Sequence, residues 1–197
     1  MILEQEFEKR AREKMLQNYH NVVGKDSRRA RNFIKKLKYK EDAYLLQCIA
    51  QTYYDESLYN PDGSQREFFE SFKLRLAERY AIQAYTINEN CIDVLWTLGL
   101  VRKAYRQYDL AIYCFKQIIE LGSRKIAKKD TCTTRSLVAV KANDSRFQLY
   151  RLYHDIGNVQ LSRRYLQVFK EKLKTGIDTL YHPLDKFLLD QSSPRKF

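Results

Sequence analysis

At 197 residues the chain can enclose one continuous core and is short for two. Its six Gly and three Pro stand against roughly two dozen expected from average usage, which points to long helices with few breaks. The net charge of +12 favours acidic partners, and no apolar run approaches the roughly 18 residues of a spanning helix, so no membrane span is predicted.

Residues 2–22 read as a helix with Ile2, Phe7, Met15 and Tyr19 loosely on one side, and Gly24 as its stop. The opening MILEQEFEKR has the pattern of neither a signal peptide nor an anchor, so a soluble, cytoplasmic protein is expected. Asp26 or Ser27 caps a second, strongly basic helix whose Ala30, Phe33, Ile34 and Leu37 fall at helical spacing. Residues 1–41 thus form a basic helical pair, expected to pack on the hairpins C-terminal to it. A first hairpin pairs helices over about 42–56 and 66–88, with Asn60, Pro61, Asp62 and Gly63 as the turn signal. A second pairs 91–105 with 108–121, closed by Gly122, and a third pairs 135–155 with 159–174, turned at Asp155 to Asn158 and ended by Gly176. A short helix over 184–190 and a flexible tail complete a C-terminal cap, 176–197.

The hairpins repeat. Ala77, Ala81, Ala84 and Ile87 reappear 34 positions later as Ala111, Phe115, Ile118 and Leu121. Leu46, Ile49, Ala50 and Tyr53 precede Leu95, Leu98, Gly99 and Arg102 by 49, and Leu149, Tyr150 and Tyr153 follow Leu98, Gly99 and Arg102 by 51. The three units are therefore 42–90, 91–125 and 135–175, with insertions at 55–72 and 123–142. Gly99 stands inside a helix because a small residue there, opposed by Ala111, lets the paired helix approach. In the third unit Tyr150 takes that place, so this hairpin must splay or repack.

LxxLG at Leu95, Leu98 and Gly99, YxxA at Tyr108 and Ala111, and AxxxFxxI through Phe115 and Ile118 resemble the tetratricopeptide repeat, with its Leu-Gly and later Ala-x3-Phe. The resemblance implies an all-α, right-handed helical-hairpin solenoid whose concave face is lined by the first helix of each unit and holds a peptide or helix. It implies the groove positions Gln47, Gln51 and Tyr54, then Trp96, Leu100 and Lys103, then Phe147, Arg151 and His154, each set at i, i+4, i+7. Trp96 is one residue later than the family's bulky position, and 100° of helical rotation should turn it away from the seam inside its hairpin. Aromatic anchors beside cations suit an acidic protein or peptide ligand. A terminal helix of the same chain is the other occupant open to this groove. Gln51, Leu100 and Arg151 lack the Lys and Asn arrangement by which some family members clamp a terminal carboxylate.

Basic residues concentrate at the flanks: residues 1–42 hold 12 basic and 7 acidic side chains, residues 123–175 hold 13 and 4, and the centre holds 8 and 10. Arg28, Arg29, Arg31, Lys35, Lys36 and Lys38, with Arg124, Lys125, Lys128, Lys129, Arg163 and Arg164, could form one stripe for an acidic partner or nucleic-acid phosphate. No helix-turn-helix, zinc-finger or RNA-binding aromatic motif accompanies them. The other reading is solvation of outer helix faces. Cys48, Cys91, Cys114 and Cys132 are widely separated, without metal-ligand spacing, and fit a reducing compartment. His20, His154 and His182 are isolated, and no nucleophile elbow, phosphate loop or HExxH occurs. The expectation is a non-enzymatic interaction adaptor or assembly subunit without metal or cofactor, which could pair with itself through its end hairpins. The alternative is a nucleic-acid-associated subunit.

Overall fold

The computed structural model describes residues 2–123 and 135–180. The segments holding Arg124, Lys125, Lys128, Lys129, Cys132, His182 and the expected helix over 184–190 lie outside the described residues. Those described form eight helices, α1 (Ile2–Val22), α2 (Ser27–Lys35), α3 (Ala43–Leu58), α4 (Ser71–Ile87), α5 (Ile92–Ala104), α6 (Tyr108–Ser123), α7 (Arg135–Asp155) and α8 (Val159–Lys174), with a short 3-10 turn at Tyr39–Glu41. The fold is all-α among the described residues, where only a single bridge, Tyr59 to Gln65, has strand-like pairing. Three helix starts are set by side chains that accept orphan N–H groups. Asp26 accepts from the Arg29 N–H at 2.9 Å, Asp42 from the Leu45 N–H at 3.1 Å, and Asn158 from the Leu161 N–H at 3.1 Å.

Neighbouring helices pack in chain order, most extensively α3 on α4, α5 on α6 and α7 on α8. The first helices of these pairs also meet, α3 against α5 and α5 against α7. The main core joins Ala50, Ala81, Leu95, Leu98, Phe115, Ile118, Leu149 and Leu152, so it runs through all three hairpins. A second core joins Tyr19, Ala30 and Ile34 to Leu45, Cys48 and Ile49, which seats α1 and α2 on α3.

Equivalent positions do equivalent things. Tyr53 stacks on Tyr80 in the first hairpin (5.7 Å, 13°), and Tyr153 stacks on Tyr165 in the third (5.6 Å, 6°). The α5–α6 and α7–α8 turns also coincide. Arg106 (φ 57°) and Gly157 (φ 79°) are both left-handed. Each is followed by an N–H bonded five residues back, Gln107 to Arg102 O at 2.9 Å and Asn158 to Tyr153 O at 2.8 Å.

Two glycines mark close approach. A Cβ on Gly99 would stand 2.9 Å from Phe115 Cζ, as the need for a small residue predicts. Gly122 is in the last turn of α6. A Cβ there would stand 2.9 Å from the Cβ of Ala142 on α7, so the glycine allows α6 and α7 to approach closely. The third hairpin does not splay at Tyr150, because its ring turns toward Phe147 (5.6 Å) and His154 (6.4 Å) and α8 packs on α7 as closely as α6 on α5.

Candidate functional site

The residues expected to line a groove lie on the series α3, α5, α7, and polar side chains stitch that series together. Gln47 Nε2 donates to Thr97 Oγ1 at 3.0 Å, Thr97 donates to Gln51 Oε1 at 2.9 Å, and Gln51 Nε2 donates to Asp55 Oδ1 at 2.9 Å. Lys103 Nζ donates to Gln148 Oε1 at 2.9 Å, linking α5 to α7. Lys141 and Asp93 form a second link between those helices. Buried amides and hydroxyls this well bonded hold helix register, since breaking one bond leaves its partner desolvated.

Two expected groove residues are buried instead. Gln47 is 7% exposed and Phe147 is 1% exposed, the latter with its ring 5.1 Å from that of Phe169 on α8. Trp96 is half-buried and does not turn from the seam, because its indole reaches edge-on to Phe115 at 5.6 Å. Leu100 is half-buried against the main core. Arg151 and His154 are exposed, and Gln51, Tyr54 and Lys103 are partly so. His154 Nδ1 lies 3.9 Å from Asp155 Oδ1, too far for a hydrogen bond.

The Arg151 charge lowers the pKa of both Tyr54 and Lys103, in each case less than burial shifts it. Burial and the Arg151 charge lower the Lys103 ammonium from its ordinary 10.5 to about 8, partly offset by Asp155. Burial raises the Tyr54 phenol well above its usual range and pushes the Asp55 carboxyl up to about 6. Lys103 is therefore charged below about pH 8 and loses its proton above it, so an acidic ligand here should weaken as pH rises through 8. Replacing Arg151 with Gln removes the repulsion and should raise the Lys103 midpoint, which NMR titration of its side-chain methylene signals measures directly. An unchanged midpoint would mean that Arg151 does not face Lys103.

Sequence reasoning missed several members of this face. Asp93 on α5 and Asp144 on α7 stand 51 residues apart, the same spacing as Leu98 to Leu149, a signal legible in the sequence. Asp144 is fully buried, with its carboxyl pushed up to about 6 by that burial. It accepts from Thr179 Oγ1 at 2.5 Å and from the Leu180 N–H at 2.9 Å, which ties the chain after α8 back onto α7. Thr97 and Gln148 carried no such pattern.

The basic residues do not assemble into one stripe among the described residues. Arg28, Arg29, Lys35, Lys36 and Lys38 are exposed on or just after α2, which packs on α1 and α3, whereas the exposed Arg163 and Arg164 belong to α8, packed on α7 at the other end of the series. Arg31 is not a surface cation. Its side chain is 7% exposed, paired with Glu56 at 2.7 Å and laid over the Tyr53 ring at 4.1 Å. Cys48, Cys91 and Cys114 are buried, and burial pushes the Cys48 thiol up to about 12 and that of Cys114 to about 11, away from thiolate chemistry.

No family model and no curated protein sequence matches this chain. No described helix is long and apolar enough to cross a membrane, and among the described residues no cluster of His, Cys, Asp and Glu could hold a metal ion.

Proposed function

We propose that this chain is a non-enzymatic interaction module, a solenoid of three tetratricopeptide-like hairpins that takes an acidic peptide or helix against the α3, α5, α7 face. The observation that carries this reading is the row of polar bonds joining the first helices of the three hairpins, Gln47 and Gln51 to Thr97 and Lys103 to Gln148, with Arg151 exposed on the same series. The repeated Tyr–Tyr stacks and the matching turns at Arg106 and Gly157 support the repeat on which it rests. A face held rigid by Gln47, Thr97 and Gln51 would lose little ordering entropy on binding. Lys103 and Arg151 would recognise a carboxylate-bearing segment by charge-assisted hydrogen bonds.

The test is affinity capture from the native cell, with and without nuclease, by the wild-type chain and by Lys103→Glu/Arg151→Glu. Each charge-assisted bond contributes about 1.5–3 kcal/mol, so a true partner should lose at least roughly tenfold in recovery with the variant and none with nuclease. An unchanged set of partners would sink the groove reading. Partners lost only to nuclease would favour nucleic-acid association instead.

A further inference from the structure

The chain after α8 returns to the helix series on which the binding face was proposed. Thr179 Oγ1 donates to Asp144 Oδ1 at 2.5 Å and the Leu180 N–H donates to Oδ2 at 2.9 Å, so both oxygens of a buried carboxylate hold this segment on α7. Asp144, Gln148 and Arg151 stand at i, i+4 and i+7 and share one face of that helix. Gln148, in the middle, accepts from the Lys103 ammonium of α5. Leu180 is therefore held at one end of the stripe that carries Lys103 and Arg151.

That stripe suits an apolar segment with carboxylates. Trp96 and Leu100 are half-buried on α5, one turn apart, with Lys103 on the same side. Asp93 is paired with Lys141 and Asp55 accepts from Gln51, whereas Lys103 and Arg151 form no ion pair among the described residues. The sequence after Leu180 supplies such a segment within reach. On the helix expected over 184–190, Leu184, Phe187 and Leu188 share a face, Asp185 and Asp190 flank it on opposite sides, and Lys186 lies behind. Arg151 stands about 10 Å along α7 from Asp144, at 1.5 Å per residue. Asp185 and Asp190 follow Leu180 by spans of about 7 and 15 Å if helical, and about 17 and 33 Å if extended.

From these features we infer that residues 181–191 of the same chain dock on the α3, α5, α7 face, with Leu184, Phe187 and Leu188 against Trp96 and Leu100, and Asp185 and Asp190 toward Lys103 and Arg151. This docking regulates the binding proposed for that face, on which it rests: the segment occupies the face until an acidic partner displaces it. Tied at Asp144, it competes at the effective concentration of a short linker, on the order of millimolar. A partner's apparent affinity then falls with the fraction of faces left open.

Trp96 is the chain's one tryptophan, so its fluorescence reports on this face directly. In the full chain, Asp185→Lys/Asp190→Lys should raise acrylamide quenching of Trp96 about twofold, as the indole opens to water. Arg151→Glu, an exposed change, should also raise it, and combining all three substitutions should restore much of the protection by exchanging the charges. Arg195→Glu/Lys196→Glu, beyond the docking segment, should leave quenching as in wild type. In affinity capture, Asp185→Lys/Asp190→Lys should recover at least about threefold more partner than wild type. Wild-type quenching in the Asp185/Asp190 variant overturns the docking, and the groove reading then stands alone if Lys103→Glu/Arg151→Glu still loses partners. Raised quenching with no partner sensitive to Lys103→Glu/Arg151→Glu supports the docking and sinks the groove reading. Raised quenching with unchanged recovery of a sensitive partner overturns the regulation. Quenching that varies with protein concentration would put the segment on a second copy and overturn docking within the chain.

Discussion

Phe115→Ala should lower the free energy of unfolding by about 3–5 kcal/mol, a large fraction of the roughly 5–15 kcal/mol that stabilises an ordinary domain. Phe115 is fully buried in the core that runs through all three hairpins, with Trp96 edge-on to its ring and Gly99 beneath it. Gly99 has no Cβ because one would stand 2.9 Å from Phe115 Cζ, 3.0 Å from Cε1 and 3.2 Å from Cys114 Cβ. Gly99→Leu in the wild type should therefore cost about 1–3 kcal/mol from overpacking, despite a gain of about 1 kcal/mol in helix propensity. In the Phe115→Ala background the same substitution should stabilise, since the leucine enters the cavity left by the ring. Urea denaturation of the four proteins measures this sign reversal as a coupling energy. Equal cost in both backgrounds would show that Gly99 is not making room for Phe115.

Arg31→Met should cost about 3 kcal/mol, the low end for breaking a buried pair, because Lys73 still faces Glu56 at 3.1 Å. The loss has two parts: Glu56 is left in a poorly hydrated site with one cation instead of two, and the guanidinium no longer covers the Tyr53 ring. Arg31→Met/Glu56→Gln should recover part of the deficit, since a neutral amide tolerates the site better than an underpaired carboxylate. Arg29→Ala, on the exposed side of the same helix, should lie within about 0.5 kcal/mol of wild type. Thermal or urea unfolding separates the two arginines. If Arg31→Met is as mild as Arg29→Ala, the pair with Glu56 is not seating α2 on α3.

Arg31 shows where sequence reading stops. It was legible as one of six cations around α2, and its place beside Ala30 and three residues before Ile34 put it at the edge of the apolar stripe. Whether such an arginine reaches water or turns inward depends on what the neighbouring helix offers, here Glu56 and Tyr53 from α3. Trp96 misled in a related way. A rotation of 100° per residue gives the direction of Cα–Cβ, but an indole is long enough to return to the seam and meet Phe115. Of the expected groove residues, Arg151 is exposed and Lys103 and Tyr54 are partly so, while Phe147 and Gln47 went into packing.

The helices themselves were written locally. Hydrophobic spacing, few breakers and the Asp26 cap located them within a few residues, the largest error being the α4 start at Ser71 rather than 66. Spacing also identified the small residue at Gly99, because a hairpin seam repeats with the chain. Only the tertiary structure decided how successive hairpins meet: Gly122 against Ala142, Thr97 between two glutamines, and Asp144 holding Thr179 and Leu180. The physical reason is range. Helix formation and hairpin pairing draw on residues a few turns apart, whereas these contacts join side chains roughly 20 to 50 positions apart, whose reach and burial are set by packing that no local pattern encodes.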